Sequence, residues 1–181
     1  MIKYKDDKKV QGLLFKYVHF YANYNYVANS RKWYRKEIRI IRPNLGIQSY
    51  KDAQGFRLNN NKLKVKEVDA YIYHYGWVKS PQHTLTKNIY FQTLWHNDKD
   101  VSSWKEKNTI NVDEYDYSKI DSLELFEDRH PSVMKERIEN KNWEVNLEIK
   151  NTQKGFLNRI LFLIEKYTGY RLFEYKNYIK I

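Results

Sequence analysis

The chain's longest β-favouring segment runs from Val10 to Tyr21 and reads VQGLLFKYVHFY. It is apolar at nearly every position and lacks the strict alternation of a strand with one wet face. A strand covered on both faces has this composition, and such strands lie at the centre of layered α/β sheets. The segment therefore predicts a central strand in an α/β domain.

Further strands and helices are predicted around this central strand. The predicted strands are Glu37–Arg42 and Lys62–Trp77, the second with a turn or bulge at Lys66–Glu67, where the apolar parity changes. The predicted helices are Pro81 to about Trp95, a helix opened by His130-Pro131-Ser132, and Gly155–Thr168, which Gly169 ends. Asp113–Asp128 is expected to be an acidic loop. Because more than one strand pair lacks a crossover helix, the predicted fold class is α/β with a mixed β-sheet flanked by helices.

Length and composition indicate one globular domain with its own core. The chain has 181 residues, 41% of them hydrophobic, and 17 of its aromatic residues are tyrosines, which favour half-buried rings with a wet hydroxyl. It has no cysteine, which excludes disulfides and thiolate metal sites. No apolar run approaches the length of a membrane span, and the first residues lack an apolar signal core. We therefore expect a cytoplasmic protein.

Positive charge is concentrated in the first part of the chain. The net charge is +11, and residues 1–100 carry all of this excess, with 19 Lys and Arg against eight Asp and Glu. The densest basic stretch is Arg31–Arg42, in which Glu37 is the sole acidic residue. A localised positive field indicates an anionic partner, such as a phosphate, a nucleic acid or a membrane surface. A solvated lysine-rich surface is the alternative.

Familiar catalytic motifs are absent, but single residues can carry chemistry. His74 stands near the end of the strand that finishes Tyr75-Gly76-Trp77, and strand ends line ligand crevices in α/β sheets. Its imidazole suits a metal or a phosphate, although a packed histidine bonded to a backbone carbonyl has the same pattern. Asp52 is predicted to lie on a loop that contains a glycine. Its carboxylate could act as a general base for an attacking hydroxyl, or it could accept a hydrogen bond from its own backbone as turn aspartates do. Trp33 and Tyr34 suit stacking on a sugar or a base, or a place in the core.

Four segments taken together resemble one family. They are Val10–Tyr21 with the Asn-Tyr-rich loop after it, RKWYRKEIRIIR at Arg31–Arg42, DAYIYHYGWVK at Asp69–Lys79, and GYRLFEYKNY at Gly169–Tyr178. In this order they resemble the bacterial glycosyltransferase family 2 proteins of surface-polysaccharide clusters, which have the A-type nucleotide-diphospho-sugar transferase fold. His130–Met134 and Asn142-Trp143 are similar to the later part of these proteins.

The resemblance implies a reaction and a set of site residues. It implies transfer of a sugar from a nucleotide-diphospho-sugar to an acceptor hydroxyl, with Asp52 as the base and His74 as a ligand of a divalent cation, Mn²⁺ or Mg²⁺. The cation offsets charge on the leaving nucleoside diphosphate. The other predicted site residues are Gln54, Tyr75 and Trp77, together with Trp33 and Tyr34, on the acceptor side. From charge alone, Arg31, Arg35 and Arg39 are expected to assist at the diphosphate.

The resemblance also implies how the chain is organised. Residues 1–110 correspond to the acceptor-side part of the catalytic domain, and residues 111–181 to a helical C-terminal extension packed on it. The nucleotide-binding half of the family, with its Asp-x-Asp metal motif, has no counterpart here, so we expect that half as a partner chain or a missing segment. The expected partners are therefore a nucleotide-diphospho-sugar and a glycan acceptor.

Two other functions compete with the transferase. A basic aromatic chain suits nucleic-acid binding, but no ribonucleoprotein motif favours it. A truncated, non-catalytic scaffold is the second alternative, and it predicts a large exposed apolar patch. The amphipathic helix Gly155–Thr168 is expected to pack on the core of the domain, with contact to the inner face of the membrane as its alternative.

Overall fold

The computed structural model describes residues 2–51, 55–111, 113–149 and 155–181. Asp52 and Gln54, two of the predicted site residues, lie outside these ranges. The strands are β1 Gly12–Tyr21, β2 Tyr26–Ala28, β3 Lys36–Ile41, β4 Gln48–Tyr50, β5 Gly55–Leu58, β6 Asn61–Lys62, β7 Lys64–Trp77, β8 Thr109–Asn111, β9 Glu114–Tyr115, β10 Leu123–Leu125 and β11 Ile179–Lys180. The α-helices are α1 Pro81–Thr93, α2 Asp98–Asn108, α3 Lys135–Glu139 and α4 Phe156–Thr168, and short 3-10 helices cover Ile2–Tyr4, Tyr117–Lys119 and Ser132–Met134.

The chain forms two compact units. The first unit comprises residues 1–18, 31–73 and 156–181, and the second comprises residues 19–30 and 74–155. Strands β1 and β7 each contribute residues to both units.

The first unit is built on a mixed sheet. The start of β1 pairs antiparallel with β3, and β11 pairs parallel with the start of β7. A fully buried cluster of Leu14, Ile38, Leu63 and Val65 forms its core, with Tyr178 packed against it. Burial of these branched side chains is the main favourable term for this sheet, at roughly 1.5–3 kcal/mol for each side chain.

The second unit has an aromatic core. The end of β1 pairs with β2, which in turn pairs with β10, and α1 contacts β9. The rings of Tyr21 and Tyr117 meet edge to face at 5.1 Å, and the Tyr117 hydroxyl donates to the carbonyl oxygen of Lys79 at 3.0 Å. Burial raises the pKa of Tyr117 to about 12, so this hydroxyl stays protonated at neutral pH.

Several predicted elements are confirmed. The fold is mixed α/β, and Val10–Tyr21 supplies the central strand β1, with β2 and β3 both paired to it. The predicted second strand is β3, and the helix at Pro81 is α1, where Ser80 caps the first turn by accepting from the amide of His83. Helix α4 ends at Thr168, and Gly169 takes the left-handed conformation predicted for a helix stop, with φ of 71°.

Other predictions differ from the structure. The turn expected as one possibility at Lys66–Glu67 is wrong, because β7 continues through both residues as one strand, while the bulge expected as the other stays a prediction. Asp113–Asp128 is not a plain loop, since it holds β9, a 3-10 turn and β10. The helix at Ser132 begins as a 3-10 turn, which buries Met134 and leaves Val133 exposed.

No helix of the described residues combines the length and the apolar composition that a membrane crossing requires. Helix α4 is strongly amphipathic, but most of its predicted apolar stripe is exposed rather than packed on the core.

Candidate functional site

His74 lies on β7 against a second histidine. Its Nδ1 is 3.2 Å from Nδ1 of His19 on β1, and the two rings meet edge to face with centroids 5.2 Å apart. One of these nitrogens must carry the proton and the other must accept it. His19 is almost fully buried and His74 is half-buried. The strand therefore presents a coupled imidazole pair, which the sequence pattern did not predict.

Gly76 is what allows His74 to take this position. A Cβ atom at Gly76 would lie 2.6 Å from Nε2 of His74. Residues two apart on a strand project from the same face, so a side chain at position 76 would compete with the imidazole for space. In the sequence His74-Tyr75-Gly76, the missing side chain of Gly76 therefore leaves the space that the ring of His74 occupies.

Tyr75 belongs to an aromatic cluster of the second unit. Its ring stacks on Phe20 with centroids 4.6 Å apart, and its hydroxyl lies 2.8 Å from Nδ1 of His130. Phe126 and Tyr24 also pack against the ring of His130. Burial lowers the pKa of His130 below its ordinary value, because the surrounding rings disfavour the charged imidazolium.

A cavity of about 600 Å³ lies directly after the end of β7 in the second unit. Its walls combine the aromatic rings of Tyr24 and Trp143 with polar side chains that include His83, Glu136 and Arg137. Trp143 is held by its indole N–H, which donates to the carbonyl oxygen of Ala22 at 3.2 Å. Aromatic walls with a few polar groups are typical of small-molecule sites of this size. Trp77, the last residue of β7, packs against Tyr21, and the Lys87 ammonium lies over its ring.

A partly buried carboxylate lies on β3 of the first unit. Glu37 on β3 forms an ion pair with Arg39, and the Arg39 guanidinium also lies against the hydroxyl and over the ring of Tyr17. The rings of Tyr17 and Tyr34 are 5.0 Å apart. Burial raises the pKa of the Glu37 carboxyl above its ordinary value, against the opposing effect of Arg39. A carboxyl poised in this way can accept or donate a proton nearer to neutral pH than an exposed one.

Glu37 and Tyr34 also line a cavity of about 170 Å³ in the first unit. Gly55 lines the same cavity, and it is the first described residue after the loop that carries Asp52 and Gln54. Asp52 and Gln54 themselves lie outside the described residues.

Arg31 and Arg35 both contact the carboxylate of Glu165, a residue for which the sequence predicted no role. Glu165 on α4 is 3% exposed and lies 2.9 Å from Nη1 of Arg31 and 2.9 Å from Nε of Arg35. Arg171 approaches the same carboxylate at 3.6 Å and donates to the carbonyl oxygen of Trp33 at 2.7 Å. These contacts fasten α4 to the basic segment. The role of Arg31, Arg35 and Arg39 at a diphosphate stays a prediction.

The described residues do not by themselves complete a divalent-cation site. Over the described ranges, no group of three or more His, Asp or Glu residues is placed to hold a metal ion. Mg²⁺ and Mn²⁺ prefer oxygen ligands, whereas His19 and His74 offer nitrogen. His74 as a metal ligand therefore stays a prediction.

Comparison with known proteins gives no match to a protein-family model, to a curated protein or to a solved structure.

Two signals in the sequence point to the residues that were missed. Glu37 is the one acidic residue inside the basic stretch Arg31–Arg42, and Glu165 is the one acidic residue in the amphipathic helix. A lone carboxylate in such a setting is a candidate ion-pair centre. His19 had no comparable signal, because its importance depends on the register between two strands distant in sequence.

Proposed function

We propose that this chain supplies the acceptor-side part of a glycosyltransferase that moves a sugar from a nucleotide-diphospho-sugar to an acceptor hydroxyl. The acceptor belongs to a surface polysaccharide or glycoconjugate. The proposal rests on the resemblance of four segments and on one structural observation, the cavity at the end of β7.

The cavity after β7 supports sugar binding by its size and its walls. A volume of about 600 Å³ is in the range of small-molecule sites, and it accommodates one or two sugar rings. Trp143 and the edge of the buried Tyr24 supply aromatic wall, while Glu136, Arg137 and His83 offer hydrogen-bonding groups. A sugar carries both apolar C–H faces and hydroxyl groups, so this combination suits it.

The roles of the chain's residues in the proposed reaction follow from ordinary acid–base chemistry. Asp52 takes the proton from the acceptor hydroxyl as that oxygen attacks the anomeric carbon of the donor sugar. The bond from that carbon to the diphosphate oxygen breaks, and the nucleoside diphosphate leaves with the electron pair. His74 would donate a hydrogen bond to the diphosphate or hold the divalent cation that offsets its charge, and His19 fixes the orientation of the His74 ring through the contact between the Nδ1 atoms.

The acceptor-binding part of the proposal is tested on the chain alone. Saturation-transfer NMR with a panel of surface-polysaccharide oligosaccharides should show signal on the bound sugars. Glu136→Ala should weaken the signal, because Glu136 lines the cavity. Glu139→Ala is the matched control, since it lies on the same helix, is exposed and does not line the cavity. Equal loss in both variants, or no signal from any oligosaccharide, would count against the assignment of the cavity.

A further inference from the structure

We propose that helix α4 and the turn after it dock on the surface of an anionic lipid bilayer. The docking surface, called the outward stripe below, consists of residues of one helix face and one residue of the following turn. These are Phe156, Ile160, Leu163 and Tyr167 on α4, with Phe173 after it. The inference is independent of the proposed transferase activity, since it concerns residues outside both cavities.

The outward stripe has the geometry of a single helix face. Its four helical members follow one another at spacings of four, three and four residues, which places them in one line along the helix. An α-helix turns about 100° per residue, so Glu165 lies on the opposite side from Tyr167 and Phe156. The face of α4 directed toward the protein thus carries the buried Leu161 and Glu165, and the outward stripe is directed away.

The ion pairs of Glu165 fix this unusual orientation. Arg31, Arg35 and Arg171 all contact its carboxylate, and Arg31 also donates to the carbonyl oxygen of Leu172. A surface helix normally turns its apolar stripe to the core. Here the inward face is held by the ion pairs of Glu165 and by the buried side chain of Leu161, and this arrangement leaves the outward stripe exposed.

The exposure of the stripe is large. Phe156 is 80% exposed, Tyr167 is 79% exposed and Phe173 is 88% exposed. Exposed apolar side chains in one line along a helix mark a site of contact with a protein or a membrane. Phenylalanine and tyrosine rings at the edge of such a face are also typical of the bilayer interface.

Charge favours a bilayer as the occupant. The first unit holds 21 Lys and Arg against eight Asp and Glu, whereas the second unit holds 12 against 14. Arg159 and Lys166 are exposed beside the stripe, on the same helix. An anionic surface attracts such a unit, while a second copy of the same unit is repelled by like charge.

The length of α4 sets how it meets the bilayer. Its 13 residues span about 20 Å, which is less than the roughly 30 Å of the hydrocarbon core. The helix therefore lies in the plane of the interface, with the stripe in the acyl boundary and Arg159 and Lys166 near the headgroups.

Vesicle co-sedimentation tests the proposal on the full chain. We expect binding to phosphatidylcholine vesicles that contain phosphatidylglycerol, much weaker binding to pure phosphatidylcholine, and a fall in binding as salt rises. The double variant Leu163→Glu, Tyr167→Glu should lose about tenfold or more in affinity, because two apolar side chains no longer enter the interface. Phe173→Ser, outside the helix, should lose less but in the same direction.

Ile110→Glu is the matched control, since Ile110 is an exposed apolar residue of the second unit, and it should bind as the unaltered chain does. Urea unfolding of each variant checks that the fold is kept. Equal binding by the double variant and the control would overturn the proposal, as would failure of the unaltered chain to bind anionic vesicles. Concentration-dependent dimers that Leu163→Glu abolishes would also overturn it, by assigning the stripe to a second copy. Tight binding to duplex DNA without vesicle binding would assign the positive charge to nucleic acid instead.

Discussion

Nη1 of Arg31 donates to Oε2 of Glu165 across 2.9 Å, and both side chains are largely buried. This pair joins the basic segment of the first unit to helix α4. Burial removes both ions from water, so each depends on the other for compensation. The pair therefore controls both the attachment of α4 and the direction of its apolar face.

Glu165→Gln should destabilise the first unit substantially. The substitution leaves the buried guanidinium of Arg31 without a counter-charge, which costs about 3–5 kcal/mol in comparable buried pairs, and leaves Arg171 with Glu174 as its acidic partner. Urea unfolding should show a correspondingly lower free energy. Glu139→Gln is the control, because Glu139 and Lys135 form an exposed pair at 4.0 Å, and less than about 1 kcal/mol is expected there. Similar effects of the two substitutions would contradict this assignment.

Gly76→Ala should be destabilising through His74. The new Cβ would lie 2.6 Å from Nε2 of His74 and would displace the ring, at a cost of about 1–3 kcal/mol. A double-mutant cycle measures this directly. In a His74→Ala background the cost of Gly76→Ala should largely vanish, because the ring that clashes is gone. An unchanged cost in that background would show that the glycine is needed for another reason.

His130 should titrate below the ordinary histidine value of 6.5. Burial among aromatic rings disfavours its protonated form, so the folded chain binds a proton less readily than the unfolded chain. His130 therefore does not reduce the free energy of unfolding above about pH 6.5. As the pH falls below that value, the unfolded chain takes up the proton first and the free energy of unfolding decreases. The ¹H NMR titration of the His130 ring gives the folded pKa, and a value at or above 6.5 would contradict the structure.

Glu37 should make the free energy of unfolding depend on pH in the opposite direction to His130. Its pKa is raised above the ordinary 4.5 by burial, so the folded chain holds the proton more tightly than the unfolded chain. Stability from this group is therefore present below about pH 4.5 and is lost as the pH rises through the folded pKa. As the pH rises from about 4.5 through the folded pKa of Glu37, the free energy of unfolding of the unaltered chain should fall relative to that of Glu37→Gln. A constant difference between the two from pH 4 to pH 7 would rule out the raised pKa.

Local sequence signals predicted the elements that have strong patterns. The apolar segment Val10–Tyr21 predicted β1, and Pro81 after Ser80 predicted the start of α1, because both signals act within one element. Helix α2 was missed, since Asp98–Asn108 buries no residue and so has no apolar stripe to detect. The change of apolar parity at Lys66–Glu67 did not mark a turn, since Val65 is buried and Asp69 and Tyr71 of the same parity are exposed within one continuous strand.

The candidate site depends on relationships that no local pattern contains. His74 could be selected as a strand-end residue, but its pairing with His19 follows from the register between strands that are 55 residues apart. The apolar face of α4 was evident from its periodicity, yet the inward position of Glu165 depends on Arg31 and Arg35, which are distant in sequence, as well as on Arg171. The partner of His74 and the orientation of α4 are therefore set by tertiary contacts, which a local sequence pattern does not contain.

Sugar transfer is the measurement that tests the proposed function most directly. The chain, combined with a nucleotide-binding half of the transferase, is incubated with nucleotide-diphospho-sugars and a glycan acceptor, with Mn²⁺ or with a chelator. We expect release of nucleoside diphosphate and a product that His74→Ala abolishes and His96→Ala keeps, because His96 is exposed and lies outside the His19–His74 pair. Full activity in His74→Ala would contradict the account, as would the absence of transfer with every donor.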